Sequence, residues 1–94
     1  MRPIKILGIA PYEGIASLMQ QAAESCDGLQ IDVHVGNLTA GAEIAAAKTA
    51  QEEYDVILSR GGTAEVLRSV VSIPVVEIQL TGLEIARLLH RARR

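Results

Sequence analysis

The segment that decides the fold is Asp55-Val-Ile-Leu-Ser-Arg-Gly-Gly-Thr63. Its first four residues, 55–58, predict a strand that is apolar on both faces and therefore buried. The next five residues, 59–63, predict a glycine-rich turn. A helix is predicted after the turn, with a buried face made of Val66, Leu67, Val70 and Val71. A strand, a glycine turn and a helix in this order are typical of one unit of a parallel α/β sheet.

The same alternation of strand and helix extends over the rest of the chain. Further strands are predicted at Ile4–Ala10, Leu29–Val35 and Val75–Leu80. The helix after the first strand is predicted from apolar residues at helical spacing and ends at Asp27-Gly28. Its predicted buried face consists of Ile15, Leu18, Met19, Ala22 and Cys26.

Two more helices complete the predicted pattern. Thr39 is predicted to cap the second helix, which is rich in alanine and runs to about Glu53. Thr81 is predicted to cap the last helix. Its predicted apolar stripe consists of Ile85, Leu88, Leu89 and Ala92.

The hydropathy of the strands predicts their order in the sheet. The first and third strands are apolar throughout and are expected in the centre, whereas the second and fourth alternate and are expected at the edges. The order is therefore 2-1-3-4 in a four-stranded parallel sheet with right-handed crossovers. The predicted fold class is α/β, a flavodoxin-like or Rossmann-like three-layer sandwich, with residues 1–94 forming a single domain.

Composition limits the classes of function. The net charge of −2 over 94 residues is too weak for binding of nucleic acid or membrane surfaces through bulk charge. Cys26 is the sole cysteine, so no intrachain disulfide and no cysteine-based metal cluster is expected. No signal region and no apolar run of about 20 residues is seen, so a cytoplasmic location without membrane contact is predicted.

Ligands of such sheets lie beyond the carboxyl ends of the strands, near the point between the first and third strands. The segments predicted to meet there are 11–14, 36–37, 59–63 and 79–82. Arg60 offers a forked cationic donor, and the glycines lead into a helix N-terminus. This combination suits a small anion, although a plain tight turn capped by Thr63 would explain the same residues. The candidate ligand-binding residues are Pro11, Tyr12, Glu13, Asn37, Ser59, Arg60, Gly61, Gly62, Thr63 and Thr81.

Catalysis and nucleotide binding find little support in the sequence. His34 and His90 are interpreted as solvated residues, and Glu77 as a polar residue of an edge strand. The glycines at 61–62 are not followed by the Gly-Lys-Ser/Thr of a phosphate-binding loop. No metal, cofactor or enzymatic activity is therefore predicted.

Residues 4–14, 54–65 and 73–78 resemble the N-terminal sensory domain of the propionate catabolism activator family. Residues 81–93 continue the resemblance, except that the family usually has Ser-Gly-Tyr-Asp where this chain has residues 81–84. The resemblance implies the first of two lobes that enclose an effector, which is a methylcitrate-like or other carboxylate. It also implies a second lobe, a sigma-54-interacting ATPase domain and a helix-turn-helix domain in the full-length regulator. Residues 60–63 and 11–13 would then face the effector.

Other functions and partners remain open from the residues alone. A phosphotransfer component or enzyme would need Cys or Asp after the first strand, where Pro11 and Tyr12 stand. A third possibility is an interaction module that binds no small molecule. A homodimer is predicted through the fourth strand or the helix after it, because that strand edge has no partner. The four arginines of residues 81–94 are predicted to serve a domain junction rather than DNA.

Overall fold

The computed structural model describes residues 2–78, which form four strands and three helices in strict alternation. The strands are β1 (Ile4–Ala10), β2 (Leu29–Val35), β3 (Val56–Ser59) and β4 (Val75–Glu77). The helices are α1 (Glu13–Glu24), α2 (Leu38–Gln51) and α3 (Gly61–Arg68). Within this range no helix is long and apolar enough to cross a bilayer.

The four strands form one parallel sheet in the order β2-β1-β3-β4, which confirms the predicted topology. β1 pairs with β2 along its whole length, from Ile4 opposite Leu29 to Ala10 opposite Val35. On its other side β1 pairs with β3, with Leu7 opposite Ile57. The strand with the longest apolar run therefore lies inside the sheet, because both of its faces can then be buried.

A hydrophobic core lies on each face of the sheet. The larger one packs α2 and α3 against the sheet through Leu7, Ile9, Ala45, Ile57 and Leu67, all of them fully buried. The other lies under α1 and consists of Ala10, Ile15, Ala16 and Met19. Helices on both faces of one sheet make the predicted three-layer α/β sandwich.

The predicted face of α1 is wrong at its C-terminal end. The helix ends at Glu24 and is capped by Ser25, so Cys26 lies beyond it in an exposed turn. Ala22 is exposed as well, because the buried face follows Ile15, Ala16, Met19 and Ala23. Gly28 takes the left-handed conformation, with φ of 82°, at the entry to β2.

The predicted starts of α2 and α3 are also wrong. The N-cap of α2 is Asn37, so Thr39 lies within the first turn of the helix and does not cap it. Residues 61–63, predicted as a turn, are the first turn of α3. This helix ends at Arg68, which leaves Val70 outside it and exposed. β3 lies one residue later than predicted, and β4 is described as Val75–Glu77. Leu80 and the helix predicted from Thr81 lie outside the described residues.

A polar cluster closes the amino end of the sheet, opposite the candidate ligand site. The hydroxyl of Tyr54, a residue only 6% exposed, lies 2.7 Å from Asp32 Oδ2 and 2.8 Å from Glu52 Oε2. Lys5 Nζ lies 3.2 Å from Glu52 Oε2 and 5.2 Å from the centre of the Tyr54 ring. Burial, helped by both carboxylates, raises the pKa of Tyr54 well above its usual range. The hydrogen bond from Tyr54 and the nearby Lys5 lower the pKa of Glu52.

Candidate effector site

Three helices begin beside the carboxyl ends of three strands, at the same end of the sheet. β1 leads into α1 through the N-cap Tyr12, β2 into α2 through Asn37, and β3 into α3 through Arg60. Because the strands are parallel, all of these connections lie at the same end. α1 packs on one face of the sheet and α2 and α3 on the other. In sheets of this topology a ligand crevice lies beyond the carboxyl ends of the central strands, here β1 and β3.

Arg60 and Tyr12 face each other across this crevice. The Arg60 Nη1 donates a hydrogen bond of 3.3 Å to the Tyr12 hydroxyl, although the two residues are 48 positions apart in the chain. Arg60 is half-buried, whereas Tyr12 is 53% exposed. The structure thus brings together the two predicted loops, and it leaves the guanidinium with donors beyond the one that Tyr12 accepts.

The start of α3 offers backbone donors beside Arg60. The first amide of this helix to donate within it is that of Ala64, to the Arg60 carbonyl at 3.4 Å. The preceding amides, those of Gly61, Gly62 and Thr63, belong to the first turn, where a helix leaves its N–H groups without intrahelical acceptors. Gly61 has φ of 59°, and an added Cβ would meet nothing within 4 Å. The backbone is therefore open to close approach at this point.

The hydroxyls of Ser59 and Thr63 are used inside the protein. Ser59 is fully buried, and its hydroxyl donates to the Ile9 carbonyl at 2.7 Å, which ties β3 to β1. Thr63 is 1% exposed, accepts the Leu38 amide at 3.1 Å and donates to Asn37 Oδ1 at 2.9 Å. These contacts fix the ends of the strands and helices around the crevice and suit a positioning role.

The remaining predicted residues lie around the rim. Pro11 is half-buried directly after β1, and Glu13 is exposed in the first turn of α1. The charge of Glu13 is favourable for the dipole of α1 and opposes the approach of an anion from that side. Asn37 is exposed and turns its amide oxygen toward Thr63. Thr81 lies outside the described residues.

Leu38 is a rim residue that sequence reasoning missed. It opens α2 with a positive φ of 46°, and 47% of it is exposed. Its Cδ2 would lie 3.4 Å from a Cβ added to Gly62, so the side chain borders the start of α3. No sequence signal could have indicated this placement, because leucine seldom adopts a left-handed conformation.

The groups gathered here are hydrogen-bond donors of the kind that anions accept from. They are one guanidinium, one phenol and the backbone amides at the start of α3. Between residues 2 and 78, no group of three or more His, Cys, Asp or Glu side chains could hold a metal ion.

Comparison with known proteins gives two findings. The family model described as propionate catabolism activator matches residues 26–94. The chain is also similar to the crystal structure of an NtrC family transcriptional regulator from Clostridium acetobutylicum, with a TM-score of 0.71 and 29% sequence identity. The match covers 98% of this chain and 48% of that protein, so the chain spans about half of its length. A search of curated protein sequences gives no significant match.

Proposed function

The chain belongs to the propionate catabolism activator family, and we propose that it is the effector-sensing lobe of a sigma-54-dependent transcriptional regulator. The observation that carries this proposal is the family match, which includes the whole segment from β3 into α3. The proposed role is regulatory: the lobe binds a small molecule and performs no chemistry on it.

We propose a small carboxylate, of the methylcitrate type or related to it, as the effector. Arg60 supplies a charge that persists at every physiological pH and a planar fork that fits a carboxylate. The amides of Gly61 and Gly62 supply further donors, and the helix start adds a partial positive charge. Tyr12 closes the opposite side of the crevice at 3.3 Å from Arg60. Ser59, Thr63 and Asn37 hold these groups in place.

We propose that a second lobe completes the crevice in the full-length regulator. The similar NtrC family regulator is about twice as long as this chain, which leaves room for such a lobe. With one wall present, the Kd for a carboxylate is expected to be about 1 mM, which corresponds to a binding free energy of about 4 kcal/mol. We also propose that the ATPase domain lies in the remainder of the regulator.

An NMR titration tests the effector site. Citrate and methylcitrate are added to the isotope-labelled chain while its backbone amides are followed. We expect the largest shifts at residues 59–63 and 11–13. In Arg60→Ala the affinity measured from these shifts should fall by about tenfold or more, since a charged hydrogen-bond donor is lost. Arg68→Ala is the matched control, because Arg68 lies at the opposite end of the same helix.

Two results would contradict the proposal. Shifts that persist unchanged in Arg60→Ala would move the site elsewhere. Absence of any saturable shift with either acid would favour a pure interaction module. A folded spectrum for each variant separates both results from a loss of structure.

A further inference from the structure

We propose that a second copy of this chain pairs with the outer edge of β2, strand against strand in antiparallel orientation, about a two-fold axis at Val33. The proposal concerns an edge remote from the crevice between β1 and β3 and does not depend on the effector. It differs from the dimer through the fourth strand that the sequence predicts.

The hydrogen bonds at both ends of β2 fix which of its backbone groups point outward. The amide of Ile4 donates to the Gly28 carbonyl at 2.9 Å, and the amide of Gly36 donates to the Ala10 carbonyl at 2.8 Å. Because backbone groups alternate along a strand, the even-numbered residues of β2 face β1. The N–H and C=O groups of Leu29, Ile31, Val33 and Val35 therefore point away from the sheet.

Among residues 2–78, β2 offers the longer of the two sheet edges. It has seven residues and neither lysine nor proline, which are common protections of an edge. In the part of the chain that the structure describes, no strand lies outside it. β4, by contrast, has three residues, and Arg68 Nη2 lies 3.5 Å from the carbonyl of Val75.

Charge selects the register of the pair. With the axis at Val33, Asp32 of each copy lies opposite His34 of the other, so two complementary pairs form. An axis at Asp32 would place two carboxylates directly opposite each other, which is unfavourable. In the favoured register Ile31 lies opposite the partner's Val35, and the outward backbone groups of Val33 bond across the axis.

Asp32 and His34 are available for this contact. Both are half-buried and lie on the face of β2 opposite α1, next to Leu7 and Ile9 of β1. Asp32 Oδ2 accepts the Tyr54 hydroxyl at 2.7 Å. Its Oδ1 takes no hydrogen bond from residues 2–78 and remains for the partner's His34.

Disulfide trapping tests the axis. Cys26 is exposed, so the experiment starts from Cys26→Ser. Hydrogen-bonded antiparallel residues have Cα atoms about 5.5 Å apart, within the range of roughly 4.4–6.8 Å for a disulfide. We expect mild oxidation to cross-link Val33→Cys and to leave Val35→Cys uncross-linked, because Val35 faces the partner's Ile31. A chain that sediments as a monomer at high micromolar concentration, or that cross-links only through Val35→Cys, would overturn the proposal.

Two charge variants test the register. His34→Glu sets a carboxylate opposite Asp32 in each of the two pairs and is expected to weaken the dimer roughly tenfold. Gln30→Glu makes the same change on the same face, but opposite the partner's Gly36, and should leave the dimer unchanged. If Gln30→Glu tightens the dimer while His34→Glu does not weaken it, the axis lies at Asp32 and the proposed register is wrong. Circular dichroism of each variant checks that the sheet is intact.

Discussion

The Thr63 hydroxyl of α3 accepts a hydrogen bond from the Leu38 amide of α2 at 3.1 Å. The same hydroxyl donates to Asn37 Oδ1 at 2.9 Å, so one buried side chain serves the N-cap residue and the first amide of a neighbouring helix. The starts of α2 and α3 are therefore linked beside the crevice. A change in the position of one helix start is expected to move the other, because both contacts are made by the same buried hydroxyl.

Replacing Thr63 by valine keeps its shape and removes the hydroxyl. The amide of Leu38 and the Asn37 side chain then lose their partner, and we expect the free energy of unfolding to fall by about 1–3 kcal/mol. Thr63→Ser, which keeps the hydroxyl, is the control and should lose less. Urea unfolding measures both. A Thr63→Val variant that is as stable as the native chain would show that these hydrogen bonds contribute nothing to stability.

Gly61 is expected to resist substitution by alanine although space is available. Its φ of 59° lies in the left-handed region, and an added Cβ would touch nothing within 4 Å. The cost of Gly61→Ala is therefore purely conformational, about 1–2 kcal/mol. Gly14→Ala, within α1, is the matched control and should stabilise the protein by up to about 1 kcal/mol through helix propensity. Thermal unfolding of both variants measures the difference, and a stabilised Gly61→Ala would contradict the argument.

Gly41 illustrates the opposite case, in which space rather than conformation is limiting. A Cβ at this position would lie 2.7 Å from the Gly36 carbonyl oxygen and 2.9 Å from Thr63 Cγ2. The helix start would have to move away from the sheet, so we expect Gly41→Ala to destabilise the protein by about 1–3 kcal/mol despite the better helix propensity of alanine. Denaturant unfolding measures this cost. A gain in stability like that expected for Gly14→Ala would show that α2 shifts freely.

The sheet could be predicted from the sequence because strand hydropathy reports burial directly. β1 is apolar except for Lys5 and lies inside the sheet, and β2 alternates and lies at an edge. The loops at the carboxyl ends followed from that topology, so the meeting of Tyr12 and Arg60 was predictable as a neighbourhood.

The details of the helix starts were not predictable, since tertiary contacts decide them. The hydroxyl of Thr63 was expected at the ligand, yet it binds Leu38 and Asn37 of another helix. Thr39 has the residue type of a cap, but Asn37 holds the N-cap position of α2. Periodicity extended the face of α1 to Cys26, because spacing alone does not mark the end at Glu24.

Stability is expected to fall in acid partly through Asp55. Its carboxylate accepts the Lys5 amide at 2.8 Å and Arg2 Nη2 at 2.7 Å. These bonds hold the pKa of Asp55 below its ordinary value of 3.8, and the bond from the Lys5 amide has the larger effect. Because the folded pKa is the lower one, this contribution is present above the unfolded pKa and is lost as pH falls through the folded value.

Asp55→Asn is the variant that isolates this effect. We expect it to be less stable than the native chain at neutral pH and to approach the stability of the native chain as the pH falls through the lowered pKa of Asp55. Urea unfolding at a series of pH values measures the difference, with Glu53→Gln, an exposed neighbour, as control. A constant difference between Asp55→Asn and the native chain at all pH values would exclude the ionic contribution of Asp55.

Tyr54→Phe tests the polar cluster at the amino end of the sheet. The ring stays packed in the core with Leu7 and Ile57, but Asp32 and Glu52 lose their common donor. Two carboxylates then face each other without the phenol between them, and we expect a loss of about 1–3 kcal/mol in the free energy of unfolding at neutral pH. The loss should shrink in acid, because protonation of Glu52 removes the repulsion. Chemical unfolding at neutral and acidic pH measures both effects, and a loss independent of pH would assign the role of Tyr54 to packing alone.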